Sequence, residues 1–97
     1  MKAPDHDAKA AQSVKPAADA AVRQTLVESR RKLLAYLRRR LGSTDEAEDV
    51  LQSFVLRALS RSENLRDVRT VRGWLSRILA TSIADHQRQA ARRRKRE

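Results

Sequence analysis

At 97 residues the chain has room for one small domain, and a domain that short buries only about 60% of the surface its unfolded form exposes, so every apolar stripe has to be used. It has no Cys, one each of Phe, Trp and Tyr, and two each of Gly and Pro; that removes disulfides, thiolate metal sites and cysteine nucleophiles, fits a reducing cytosol, and leaves too few aromatic and turn residues for an all-β domain. Lys and Arg number 22 against 12 Asp and Glu, a net charge of +10, while no apolar run approaches the roughly 18 residues of a membrane span and the N-terminus lacks a signal-peptide core.

In chain order, residues 1–17 mix Ala, Lys, Asp, Ser and Pro without apolar period and are expected to form a disordered tail. A first helix is predicted over 18–41, with the stripe Val22, Leu26, Leu33, Leu34, Leu37 and Leu41, Gly42 as its left-handed cap, and Arg38, Arg39 and Arg40 at the negative end of its dipole. A second helix is predicted over 44–61. Ser43 and Glu46 have capping-box spacing, and Ala47, Val50, Leu51, Phe54, Val55, Ala58 and Leu59 make one buried face. Residues 62–69 break the period and read as a loop. A third helix is predicted over 70–90, capped by Thr70 or Asp67, burying Val71, Trp74, Leu75, Ile78, Leu79 and Ile83. Trp74 is assigned to the core because it falls on that stripe. The last residues, RQAARRRKRE, have helix-forming composition but no apolar face, so an anionic partner would be needed to hold them helical. The fold class is therefore all-α: a compact three-helix domain over 18–91, with the core Leu33, Leu37, Leu41, Val50, Leu51, Phe54, Leu75, Ile78 and Leu79, and a basic helix extension whose residues 92–97 begin a linker.

The charge is unevenly placed. Arg30, Arg31, Lys32, Arg38, Arg39 and Arg40 crowd the first helix, and Arg66, Arg69, Arg72, Arg77, Arg88 and Arg92 to Arg96 crowd the third region. Between them Asp45, Glu46, Glu48 and Asp49 form an acidic island. That arrangement points to two kinds of partner, one a polyanion and one basic. Enzymatic chemistry finds no support. His6 lies in the tail, Asp85 and His86 are helical neighbours that do not face one another, and no nucleophile–base set, paired catalytic carboxylate or phosphate-cradling Gly loop is present. No metal, cofactor or small-molecule substrate is implied. A helix-turn-helix is disfavoured because the last two helices are joined by a long polar loop and the third is apolar along one side.

The pieces LLAYLRRRLG, DEAEDVLQSFVLRAL (residues 45–59), WLSRILA (74–80), DHQR (85–88) and RRRKR follow one another in an order and spacing that resembles region 2 of the extracytoplasmic-function sigma factors of bacterial RNA polymerase, from Leu26 to Arg94. The resemblance implies a cytoplasmic, non-enzymatic transcription-initiation factor. It places Asp45, Glu48, Asp49 and Gln52 against the clamp helices of the largest subunit of core RNA polymerase. It places Asn64, Leu65, Arg66, Arg69, Arg72, Arg77, Thr81 and Arg88 against the single-stranded non-template strand of the melted minus-ten promoter element. A flipped base would be held by the loop and the backbone by basic side chains. An anti-sigma factor is a further expected partner. Ser53, Thr81 and Leu65 depart from the residues frequent at those positions in the family, which bears on polymerase affinity and on base preference. The helix-turn-helix domain that follows region 2 in the family is absent here, so a truncated or incomplete factor is expected. The alternative reading is a sequence-nonspecific helical nucleic-acid-binding domain with no polymerase partner.

Overall fold

In the computed structural model, the backbone of residues 3–96 and the side chains of residues 16–96 are described; most of the tail expected over 1–17 lies outside the described side chains. Three helices follow in order: α1 (Ala3–Leu41), α2 (Thr44–Ser60) and α3 (Val71–Arg96). There is no strand among the described residues, as the composition requires. The packed part of α1 begins just past Pro16, whose missing N–H interrupts the helical ladder. From there Ala18, Val22, Leu26 and Leu37 turn inward, at the spacing that keeps one helical face on the core.

Two local devices set the α1–α2 corner. Gly42 takes φ +77, the left-handed conformation that ends a helix without a Cβ clash, and its N–H donates to the Arg38 carbonyl at 2.8 Å. Ser43 is extended and its hydroxyl accepts from the Glu46 N–H at 3.3 Å, satisfying one of the orphan donors at the start of α2. Only half of the expected capping box forms, since the Glu46 carboxylate turns away to α3.

The three helices close on Phe54, which is 1% exposed, with Val50, Leu51, Ala58, Leu75, Ile78 and Ile83 around it. The expected core members Leu33, Leu41 and Leu79, and Trp74 with them, are partly buried and pack against this cluster. Ser82 is buried among apolar neighbours and is satisfied locally, its hydroxyl donating to the Ile78 carbonyl at 2.9 Å.

The segment between α2 and α3 has more structure than its lack of period suggested. It contains two short 3₁₀ turns, Ser62–Asn64 and Val68–Thr70. Asp67 caps the second, accepting from the Arg69 N–H at 3.0 Å, and the Thr70 hydroxyl donates back to the Asp67 carbonyl at 2.7 Å. The chain enters α3 at Val71, one residue later than predicted. At the other end α3 runs on to Arg96, through the residues expected to begin a linker. Nothing there breaks a helix, and the cations Arg93, Arg94, Lys95 and Arg96 suit its C-terminal dipole.

Candidate polymerase and nucleic-acid interfaces

Asp45, Glu48, Asp49 and Gln52 stand at i, i+3, i+4 and i+7 along α2, so they form one row, and all four are exposed. Phe54 points the opposite way into the core. None of the three carboxylates has an ion-pair partner among the described residues, so the row is free to meet one from outside. Its geometry follows from the N-terminal cap: Ser43 fixes where the first turn starts, and with it which direction every later side chain takes. The row also includes a residue that the sequence reading passed over. Leu56, one turn beyond Gln52, is 61% exposed and extends the acidic row with an apolar contact. The signal was available, since Leu56 lies off the buried stripe of α2.

Glu46, by contrast, does not belong to that row. Its carboxylate meets the His86 Nε2 of α3 at 3.2 Å. The neighbouring Asp85 takes the other direction along α2, pairing with Arg57 at 3.0 Å and with Arg88 on its own helix. Adjacent helical residues diverge, and here they reach toward the two ends of α2 and clasp it. The paired guanidiniums of Arg88 and then Arg57 hold the Asp85 carboxyl below its ordinary value. This clasp fixes how α3 is rotated against α2, and hence the angle between the surfaces the two helices present.

Six of the eight proposed DNA residues fall into two exposed groups, with Arg72 and Leu65 apart from both. Asn64, Arg66 and Arg69 are exposed on the inter-helix segment. Arg77, Thr81 and Arg88, spaced by four and seven residues, share an exposed strip on α3. Arg72 is exposed too but turns toward α1, away from that strip, and lines a groove described below. Leu65 corrects the expectation drawn for it. It is 2% exposed and belongs to the core cluster, because the two 3₁₀ turns flanking it fold the segment inward and an exposed leucine there would waste apolar burial. Leu65 anchors the loop from beneath rather than offering a surface to a base.

That anchor has polar company. Ser62 donates to Asp19 of α1 at 3.1 Å, and Arg69 grips Asp67 through Nε and Nη2 at 3.1 and 3.0 Å. Hydrogen bonds from Arg69 lower the Asp67 carboxyl, and the same pair raises the Arg69 guanidinium. Asp19 is lowered as well, by Arg23 first and then Ser62. Leu65 and the Ser62–Asp19 bond thus tie the loop to the rest of the domain, the Asp67–Arg69 pair braces it internally, and Asn64 and Arg66 stay exposed. No group of His, Cys, Asp and Glu able to hold a metal ion occurs among the described residues, and no described helix is long and apolar enough to cross a membrane.

The chain is 28% identical over 78 residues to the RNA polymerase sigma factor HrpL of Pseudomonas syringae pv. syringae, covering 80% of this chain and 42% of that protein. It therefore spans less than half the length of that relative. No solved structure matches it. Sigma-70 region 2 matches residues 26–93, which takes in the α1–α2 corner, the acidic row, the inter-helix segment and the basic strip, and bears out the resemblance drawn from the motifs: the chain belongs to the Sigma-70 region 2 family.

Proposed function

We propose that this chain is the part of a bacterial sigma factor that attaches to core RNA polymerase through α2 and holds the melted minus-ten element against α3 and the segment before it. One observation carries this reading. Within a Sigma-70 region 2 match, a bare acidic row and a basic strip lie on separate faces of one core, so both partners can be bound at once. In this reading Asp45, Glu48, Asp49 and Gln52 face basic residues of the largest-subunit clamp helices, with Leu56 adding apolar contact at the end of the row. Arg77 and Arg88 hold the phosphates of the non-template strand, and Asn64, Arg66, Arg69 and Thr81 lie nearest to its bases.

The domain performs no bond chemistry. Its work is to exchange base stacking in the duplex for contacts with protein, and the unstacking cost of a few kcal/mol has to be recovered from the held base and the phosphates. A polymerase subunit of this kind acts in the bacterial cytoplasm. A sequestering anti-sigma factor would have to cover the acidic row and Leu56 to compete with polymerase. Capture of core RNA polymerase by the immobilised chain tests the reading: retention that is lost with Asp49→Arg supports it, and binding to DNA with no retention of polymerase overturns it in favour of a nonspecific nucleic-acid-binding domain.

A further inference from the structure

α1 and α3 do not close fully on one another, and between them runs a groove of about 480 Å³ that uses none of the acidic row and none of the Arg77–Thr81–Arg88 strip. Its floor is aliphatic: Leu26 and Leu33 from α1, Leu75, Leu79 and Ile83 from α3, over the buried ring of Phe54. Lys32 stands on one bank and Arg72 on the other, both exposed and without an ion-pair partner among the described residues. Among the described residues no carboxylate lines it. Along α1 it extends from Thr25 to Tyr36, about 16 Å at 1.5 Å per residue, or three turns of helix.

We propose that this groove is the docking site for an acidic amphipathic helix of a partner protein, distinct from the polymerase and DNA faces and independent of the reading given for them. Two facing cations and an absence of carboxylates select an anionic occupant. The floor decides which anion. Single-stranded nucleic acid stacks successive bases on aromatic faces, and the groove offers one exposed ring, Tyr36 at its end, the Phe54 ring being 1% exposed, whereas aliphatic side chains at i, i+3 or i+4, and i+7 of a guest helix fit the leucine-lined trough along its whole length. Strand addition has no template, because the described residues hold no sheet edge. A three-turn helix with one apolar face and Asp or Glu along both borders meets the floor and both banks together.

Selection from a displayed library of 14-residue helical peptides, against the full chain, tests this whatever the partner's identity. The peptides enriched should carry that apolar spacing bordered by Asp and Glu. They should weaken by about tenfold or more, the scale on which losing a central contact is read, with Ser76→Arg, which fills the groove from an exposed position. They should weaken to a smaller extent with Lys32→Glu and be unaffected by Asp49→Arg. Lys32 is a surface residue, so its variant keeps the test decisive if Ser76→Arg loses its circular dichroism spectrum. Enriched peptides that ignore both groove variants, or that lack acidic borders, would overturn the proposal. Displacement of the peptides by a single-stranded oligonucleotide would reassign the groove to nucleic acid, and a dimer in sedimentation that Ser76→Arg abolishes would reassign it to a second copy of the chain.

Discussion

The outer face of α2 and the outer face of α3 carry opposite charge, and they also manage it differently. On α2, Asp45, Glu48 and Asp49 stand without ion-pair partners among the described residues. On α3 and the segment before it, two arginines are already held by carboxylates of the chain itself, Arg69 by Asp67 and Arg88 by Asp85. A bare carboxylate row is a surface whose charge is complemented only by a partner. A clasped guanidinium has its direction fixed beforehand and its charge partly offset, which lowers the ordering cost of binding and limits indiscriminate attraction to any polyanion. On the proposed reading, polymerase attachment would rely on unspent charge, and the DNA side on oriented charge mixed with cations such as Arg66 and Arg77 that have no ion-pair partner among the described residues.

The widest separation between the two faces and the core that joins them should appear in stability. Phe54→Ala removes the ring at the centre of all three helices and should cost about 3–5 kcal/mol, enough to approach the whole stability of so small a domain. Leu65→Ala should cost about 2–5 kcal/mol for the same reason, while Asn64→Ala, its exposed neighbour, should change the melting temperature very little. A thermal melt in which Leu65→Ala behaved like Asn64→Ala would put Leu65 back on the surface.

Next in size is the loss expected from reversing charge in the acidic row. Asp49→Arg should weaken binding to core polymerase by about tenfold or more, equivalent to about 1.4 kcal/mol, and leave the circular dichroism spectrum and oligonucleotide affinity unchanged. Leu56→Ser should weaken the same interaction to a smaller extent and, being exposed, should leave stability intact. On the basic side, binding to single-stranded DNA should fall with salt at a log–log slope of about −0.7 per neutralised phosphate, and Arg77→Ala should reduce that slope by about one such unit.

The smallest effect concerns the clasp. The folded-state pKa of Asp85 lies below its ordinary value because Arg88 and Arg57 stabilise the carboxylate, so its contribution to stability is present above the ordinary carboxylate range and is lost as pH falls through the depressed folded value. Asp67 and Asp19 shift the same way. Melting temperature should therefore decline below about pH 4, where unfolded aspartates begin to take up protons. Asp85→Asn should make that decline shallower. A decline of unchanged steepness would show that the Asp85 ion pairs carry no weight in solution.

Much of this was legible in the sequence for physical reasons. Helix periodicity gave the three elements, because an amphipathic face must repeat every 3.6 residues wherever it packs; Gly42 and Ser43 marked the α1–α2 corner, because few residues satisfy a helix end. The acidic row followed once the cap had set the phase of α2. What escaped were features that depend on which distant groups meet. Glu46 has the spacing of a capping residue, and only the crossing of α3 over α2 brings His86 within 3.2 Å of it. Leu65 has no periodic context, so nothing local told that two 3₁₀ turns fold it inward. Arg72 reads as one more cation of α3; its five-residue spacing puts it on a different face from Arg77, but that this face meets α1 depends on how the helices pack.

The central claim is that one core presents two faces that work at the same time, and it is tested most directly by measuring the affinity of the chain, together with core RNA polymerase, for a promoter segment offered either pre-melted or as duplex. The account predicts tighter binding to the melted form, since unstacking has already been supplied. It further predicts that Asp49→Arg weakens the complex through the polymerase and Arg77→Ala weakens it through the DNA. Equal affinity for melted and duplex DNA, with both variants behaving as the parent does, would contradict it and leave a basic helical domain with no division of labour between its faces.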